Sequence, residues 1–187
     1  MRASSSHRTR IWTLVAAGAC LLLLAGGGRP AAARARVGQP APWFNLEDLQ
    51  GRSFASARLR GKPAVLVIGR TQKAAPPCKA WVLELLRRHG RALPVYQVIV
   101  VDKSWFIPRG LVLGKVKGFT PGDLRDRVLL EWYTVFADTW GVPLHDDPTV
   151  MVLDAGGVMR FRRRGAMTAR ALEQLNLVLN RARLATR

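Results

Sequence analysis

Cys78 follows Ala75-Pro76-Pro77 and precedes Lys79, with Arg70 and Lys73 a few residues upstream. A thiol in the first turn of a helix becomes more acidic, because unpaired amides and the helix dipole favour the thiolate. Two prolines suit such a turn, and Arg70, Lys73 and Lys79 add anion-attracting charge. That pattern describes a single redox-competent thiol. Yet Cys78 also shares helical spacing with Val82, Leu85 and His89, flanked by Trp81 and Leu86. On that stripe it is a small buried hydrophobe. Both readings stay open from the residues alone. The chain's other cysteine is Cys20, so neither a disulfide framework nor a four-cysteine zinc site can form in one chain.

The elements that must position these residues follow from the pattern. Trp43 opens a change in texture. Phe44-Asn45-Leu46 and Ser53-Phe54 flank Leu49-Gln50-Gly51-Arg52, a hairpin signal. Ala64 to Gly69 is a continuous apolar run that suits a strand buried on both faces. A helix is expected from Pro76 or Pro77 to Gly90, then a second buried strand over Val95 to Val101. Thr120-Pro121-Gly122-Asp123 predicts a helix start running to about Trp140. Thr149 to Leu153 is a third central strand. Val158 to Arg164 is a fourth, whose bases would discourage pairing at a sheet edge. Thr168 caps a last helix with Leu172, Leu175, Leu179 and Ala182 inward. Two strand-helix-strand crossovers and a closing hairpin give an α/β fold, a mixed central sheet with helices on both faces and an N-terminal β-hairpin.

The chain of 187 residues is 49% hydrophobic, enough for one domain with a real core and against intrinsic disorder. Its start reads as an address. Arg2, Arg8 and Arg10 precede an uncharged run from Ile11 to Gly28, and Ala33-Arg34-Ala35 fits a small-x-small cleavage site. Residues 1–35 are therefore expected as a secretory signal peptide or a retained N-terminal membrane anchor, residues 36–42 as a linker, and 43–185 as the folded domain. Cys20 lies inside the apolar run rather than after it, unlike a lipoprotein cysteine.

Four local words resemble the thioredoxin-like superfamily, in its peroxiredoxin and exported thiol-disulfide oxidoreductase branch. They are Val37 to Pro42 with Phe44 and Leu46; Gly61-Lys62-Pro63; Ala75-Pro76-Pro77-Cys78-Lys79; and Trp140-Gly141-Val142 with Asp147-Pro148-Thr149 and Val152-Leu153-Asp154. Gly69-Arg70-Thr71 and Gly165-Ala166-Met167-Thr168 look like the periplasmic YtfJ-type family. The resemblance implies a thioredoxin-like fold, a Cys-Pro-Pro-Cys turn whose first cysteine is replaced by Ala75, and a cis-proline at Pro148 next to Thr149. In the family the missing sulfur is the nucleophile and the second cysteine resolves the mixed disulfide. The dithiol cycle is then impossible within this chain. The peroxidatic position of peroxiredoxins falls on Ala74. The resemblance also implies that the proline loop faces the first helix. His145, Asp146 and Asp147 would then approach Cys78 as a Cys-His-carboxylate trio suited to copper or zinc. A solvated turn is the plainer reading, and no cofactor is expected.

The function expected is an exported, non-catalytic accessory or binding module at the cell envelope. The alternative is a single-cysteine oxidoreductase or peroxidase acting through Cys78. Lys plus Arg number 30 against 12 acids, for a net charge of +18. Such a field attracts anionic polymers and lipids. No nucleic-acid motif is present, so the partner expected is an envelope protein or an anionic envelope surface. Arg160, Arg162, Arg163 and Arg164 with Arg87, Arg88 and Arg91 concentrate the charge. Trp105 to Phe119 is too apolar for an idle loop, and either covers the core or meets a partner.

Overall fold

The computed structural model describes residues 34–101 and 108–185. Strands β1 (Asn45–Asp48) and β2 (Ser53–Ala55) form the expected hairpin. Its turn is held by the Asp48 carboxylate, which accepts from the Gln50 and Arg52 amides at 2.8 and 2.9 Å. Gly51 supplies the left-handed φ of 80° that the turn needs. Strand β3 (Ala64–Gly69) is buried throughout, as its unbroken apolar run requires. Helix α1 (Ala75–His89) begins at Ala75, one residue ahead of the expected start, carries the two prolines in its first turn and stops at Gly90. Strand β4 (Val95–Val100) and helix α2 (Arg109–Phe119) follow. Strand β5 (Val128–Glu131), helix α3 (Val135–Thr139), strands β6 (Thr149–Leu153) and β7 (Met159–Arg164), and helix α4 (Ala169–Leu184) complete the order. The Thr168 hydroxyl accepts from the Ala171 amide and caps α4 as expected.

The seven strands run β2-β1-β5-β4-β3-β6-β7. β3, β4 and β5 are parallel, and β1, β6 and β7 are antiparallel to their neighbours. On one side of β3, Val65 and Val67 pack with Trp81 and Leu85 of α1 and with Leu172 and Leu175 of α4. On the other, Leu66 and Ile68 pack with Phe44 and with Phe136 and Trp140 at α3. The sheet is thus mixed and covered on both faces. Alternation along β3 decides which side chain meets which helix.

The region 120–140 differs from the expected single helix. The Thr120 hydroxyl donates to the Val116 carbonyl, so it closes α2 instead of capping a new helix. A 3₁₀ turn over Gly122–Arg127 leads straight into β5. There Val128, Leu129 and Leu130 gain a ladder with β4 and a burial that helical propensity does not match. Of the apolar stretch after β4, Trp105, Phe106 and Ile107 lie outside the described residues. In α2, Val112, Leu113 and Val116 pack over Leu49, Val128 and Leu130, while Leu111 and Phe119 are exposed. Residues 36–42, expected as a linker, make backbone bonds to the β7 hairpin: Gly38 donates to Met159, Met159 to Gln39, and Ala41 to Gly157. Ala35 is buried, its amide donating to the Thr139 carbonyl and its carbonyl accepting from Arg162.

Candidate functional site

The turn that leads into α1 sits at the carboxyl end of β3, where Gly69 ends the strand. Thr71 caps a short 3₁₀ turn over Gln72–Ala74, its hydroxyl accepting from the Ala74 amide at 3.2 Å. That hydroxyl donates to Asp146 at 2.9 Å, and Lys73 lies 3.4 Å from the same carboxylate. The bond from Thr71, aided by Lys73, holds Asp146 below the usual carboxylate range. The loop that carries His145 to Pro148 is therefore joined to the lead-in of α1.

Ala75 begins the helix in helical geometry and is exposed, as is Pro76. Pro77 is half-buried. Cys78 is 0% exposed and packs among Val65, Val67, Ala74, Trp81 and Val150. Its sulfur lies against the bare Cα of Gly69, and a Cβ there would stand 3.0 Å from Sγ and 3.2 Å from the Ala74 Cβ. Burial pushes the thiol up to about 12, the reverse of the lowering expected from the nearby bases. The cause is solvation. The stripe shared with Val82 and Leu85 turns Cys78 inward, and a thiolate there would lose its water.

The three expected anion-attracting bases are placed differently from one another. Arg70 is nearly buried and donates through Nη1 to Asp138 at 2.9 Å and to the Val142 carbonyl at 2.8 Å. Lys73 faces Asp146, and only Lys79 is exposed without a carboxylate contact among the described residues. No single anion site gathers them. His145 also stands apart from Cys78: its Nδ1 accepts from the Asp147 amide at 3.0 Å, both side chains being exposed. Among the described residues no three of His, Cys, Asp and Glu come together to hold a metal ion. The expected Cys78, His145, Asp147 trio is not assembled, because the sulfur is behind β3's end and the imidazole is in solvent.

Pro148 is buried, its carbonyl accepting from the Gly165 amide. The peptide bond before it is trans, correcting the expected cis-proline; no cis peptide occurs among the described residues. The trans form is the ordinary preference of an X-Pro bond. Thr149 is buried in β6 with its hydroxyl unpartnered among the described residues.

Two acids that sequence reasoning missed organise the far side. Glu131, buried at the end of β5, accepts from the amides of Phe136 and Ala137 at the start of α3. Burial pushes its carboxyl above the ordinary range, with the amides and Arg70 offsetting part of the rise. Asp138 anchors Arg70 from 68 residues away. No local signal marks such a pair.

Many of the conspicuous arginines work as internal ties. Arg87 and Arg88 both bind Glu84, Arg160 binds Asp154, and Arg163 reaches Gln174. Arg91 donates to the Asp123 carbonyl, and Arg162 donates to the Ala35 and Gly141 carbonyls. Arg164 is exposed.

The close fit of Gly69 and Cys78 gives a first test. Gly69→Ala should cost about 1–3 kcal/mol by overpacking. Cys78→Ala in the same chain should relieve most of that cost. Urea denaturation of the four-member cycle measures it, and simple additivity would contradict the contact.

No family model and no curated protein matches the chain. Solved structures do resemble it. The exposed lipoprotein thioredoxin Etrx1 of Streptococcus pneumoniae is 19% identical, with a TM-score of 0.55 over 72% of this chain and 97% of that one. A thiol:disulfide interchange protein of the thioredoxin family from Chlorobium tepidum is 20% identical, with a TM-score of 0.54 over 80% and 99%. A thiol peroxidase from Chromobacterium violaceum is 19% identical, with a TM-score of 0.52 over 77% and 87%. At these identities the likeness shows a thioredoxin-like fold. It does not bear on the narrower YtfJ-type resemblance.

Proposed function

We propose that this chain is an exported thioredoxin-fold module that has lost dithiol catalysis and serves as an accessory or binding protein at the cell envelope. The observation that carries the reading is the pairing of an exposed Ala75 at the start of α1 with a fully buried Cys78 behind it. In this fold an attacking sulfur is needed where solvent and substrate reach, and here a methyl group stands there. Export rests on the leader pattern of residues 1–35, and the naming of one similar structure as an exposed lipoprotein agrees with it. The partner is an envelope protein or an anionic envelope surface, with no role for nucleic acid.

Single-thiol chemistry through Cys78 meets an energetic objection. With its pKa at about 12, on the order of 10⁻⁵ of the thiol is ionised at neutral pH. Iodoacetamide should therefore leave Cys78 unlabelled in the folded protein at pH 7 to 9. Labelling should rise only toward pH 12, or at once in denaturant with a midpoint near the free-thiol value of about 8.5. The chain should also reduce insulin disulfides in the presence of dithiothreitol no faster than dithiothreitol alone. Rapid labelling of the folded state, or Cys78-dependent turnover, would overturn the reading.

A further inference from the structure

A cleft of about 550 Å³ opens beside α3, well inside the size range of small-molecule sites. Its origin is a short ladder. β1 pairs with β5 only at Glu47↔Leu130 and Asp48↔Leu129. Beyond that point the strands part, and Leu46 and Asn45 no longer meet Glu131 and Trp132 across a ladder. The floor is apolar, with Phe44, Phe136 and Trp140 packed edge to face or tilted at centroid separations of 5.2, 5.6 and 4.9 Å. Trp43 stands at the rim, 70% exposed.

The charged groups and the buried indole of this cleft are unevenly engaged. Its two carboxylates are already served: Glu47 accepts from Trp132 Nε1 at 3.0 Å, and Glu131 accepts from two backbone amides. The donors are less fully so. Among the described residues, Arg109 lies over the Trp132 ring at 4.8 Å with half its side chain exposed, donates to the Tyr133 hydroxyl, and forms a loose ion pair with Glu47 at 3.9 Å. On the floor, Trp140 Nε1 is buried and finds no acceptor among the described residues. A ligand that completes the site must bring acceptors and a flat apolar body.

We propose that the cleft between β1 and α3 binds a planar aromatic carboxylate, its ring against Trp43 and its carboxylate on Arg109. The site is separate from Cys78, so its fate does not depend on the loss of thiol chemistry. Equilibrium dialysis of the full chain against 2-naphthoate tests it, with 2-naphthalenemethanol and 2-naphthylmethylammonium as neutral and cationic counterparts. We expect saturable binding of one naphthoate per chain, weaker binding of the alcohol and none of the ammonium. Arg109→Gln should weaken naphthoate binding roughly 10- to 100-fold by removing a charge-assisted contact. Trp43→Ala should weaken it roughly 3- to 10-fold. Arg164→Gln, on the exposed end of β7, should leave it unchanged. Circular dichroism checks that each variant is folded, since Arg109 also covers the buried Trp132 ring. Absence of saturation, preference for the ammonium, or equal loss in Arg164→Gln would overturn the proposal. The last outcome would mean that net charge alone collects the anion.

Discussion

Ala75→Cys should give this protein the dithiol that its sequence lacks. In a Cys20→Ser background the variant should oxidise to a chain with no free thiol, and should reduce insulin disulfides at least about tenfold faster than the parent. The geometry supports both. Residue 75 already has helical angles of −63° and −47°, and Cys78 is one turn on. Residues three apart in a helix have Cα atoms about 5 Å apart, inside the range a disulfide accepts. The new sulfur would be exposed at a helix start, where the thiolate is favoured. Cys78 behind it would then have a partner to attack, and its burial would matter less because the mixed disulfide brings the electrophile to it. Adding Cys78→Ala should leave trapped mixed disulfides without turnover. If the oxidised variant keeps two free thiols and the insulin rate stays at background, the α1 turn is not the equivalent of a redox site.

Glu131→Ala should be the costliest single truncation near the site, at about 2–5 kcal/mol. Its two oxygens serve the Phe136 and Ala137 amides, the first turn of α3. Each buried donor left without an acceptor costs about 1–3 kcal/mol. The loss extends further. Asp138 on α3 is the carboxylate that holds Arg70, and Arg70 also ties the Val142 carbonyl. Loosening α3 should free the segment that leads into α1. Glu131→Gln keeps one acceptor oxygen and should cost clearly less. Urea titration of both variants measures the difference. Equal losses would show that the cavity, rather than the orphaned amides, sets the cost.

The central elements were legible because pattern and burial coincide in them. Ala64 to Gly69 and Thr149 to Leu153 are unbroken apolar runs, and both are fully buried strands. The stripes of α1 and α4 were read correctly for the same reason. β5 was not legible. Val128 to Leu130 is too short to outweigh the helix-start signal at Thr120 to Asp123, and only pairing with β4 and β1 selects the strand. At the site, the sequence located the α1 turn and offered three fates for Cys78, a buried hydrophobe, a reactive thiol and a metal ligand. Which fate holds depends on Gly69, whose missing side chain admits the sulfur from another element. Arg70 read as an anion attractor because its partner, Asp138, lies in a region read as one long helix. The arginine cluster likewise looked like surface, although Arg162 is spent on backbone carbonyls.

The bond from Arg162 to Ala35 spans 127 positions, and Gly38, Gln39 and Ala41 close onto the same hairpin. During synthesis, these residues emerge long before the strand they need. The front of the chain must therefore stay unlatched until β7 has appeared, and contacts of such separation form late. A product truncated ahead of residue 158 would be left with an open sheet edge on β6 and a loose leading segment, a form suited to recognition by chaperones or proteases.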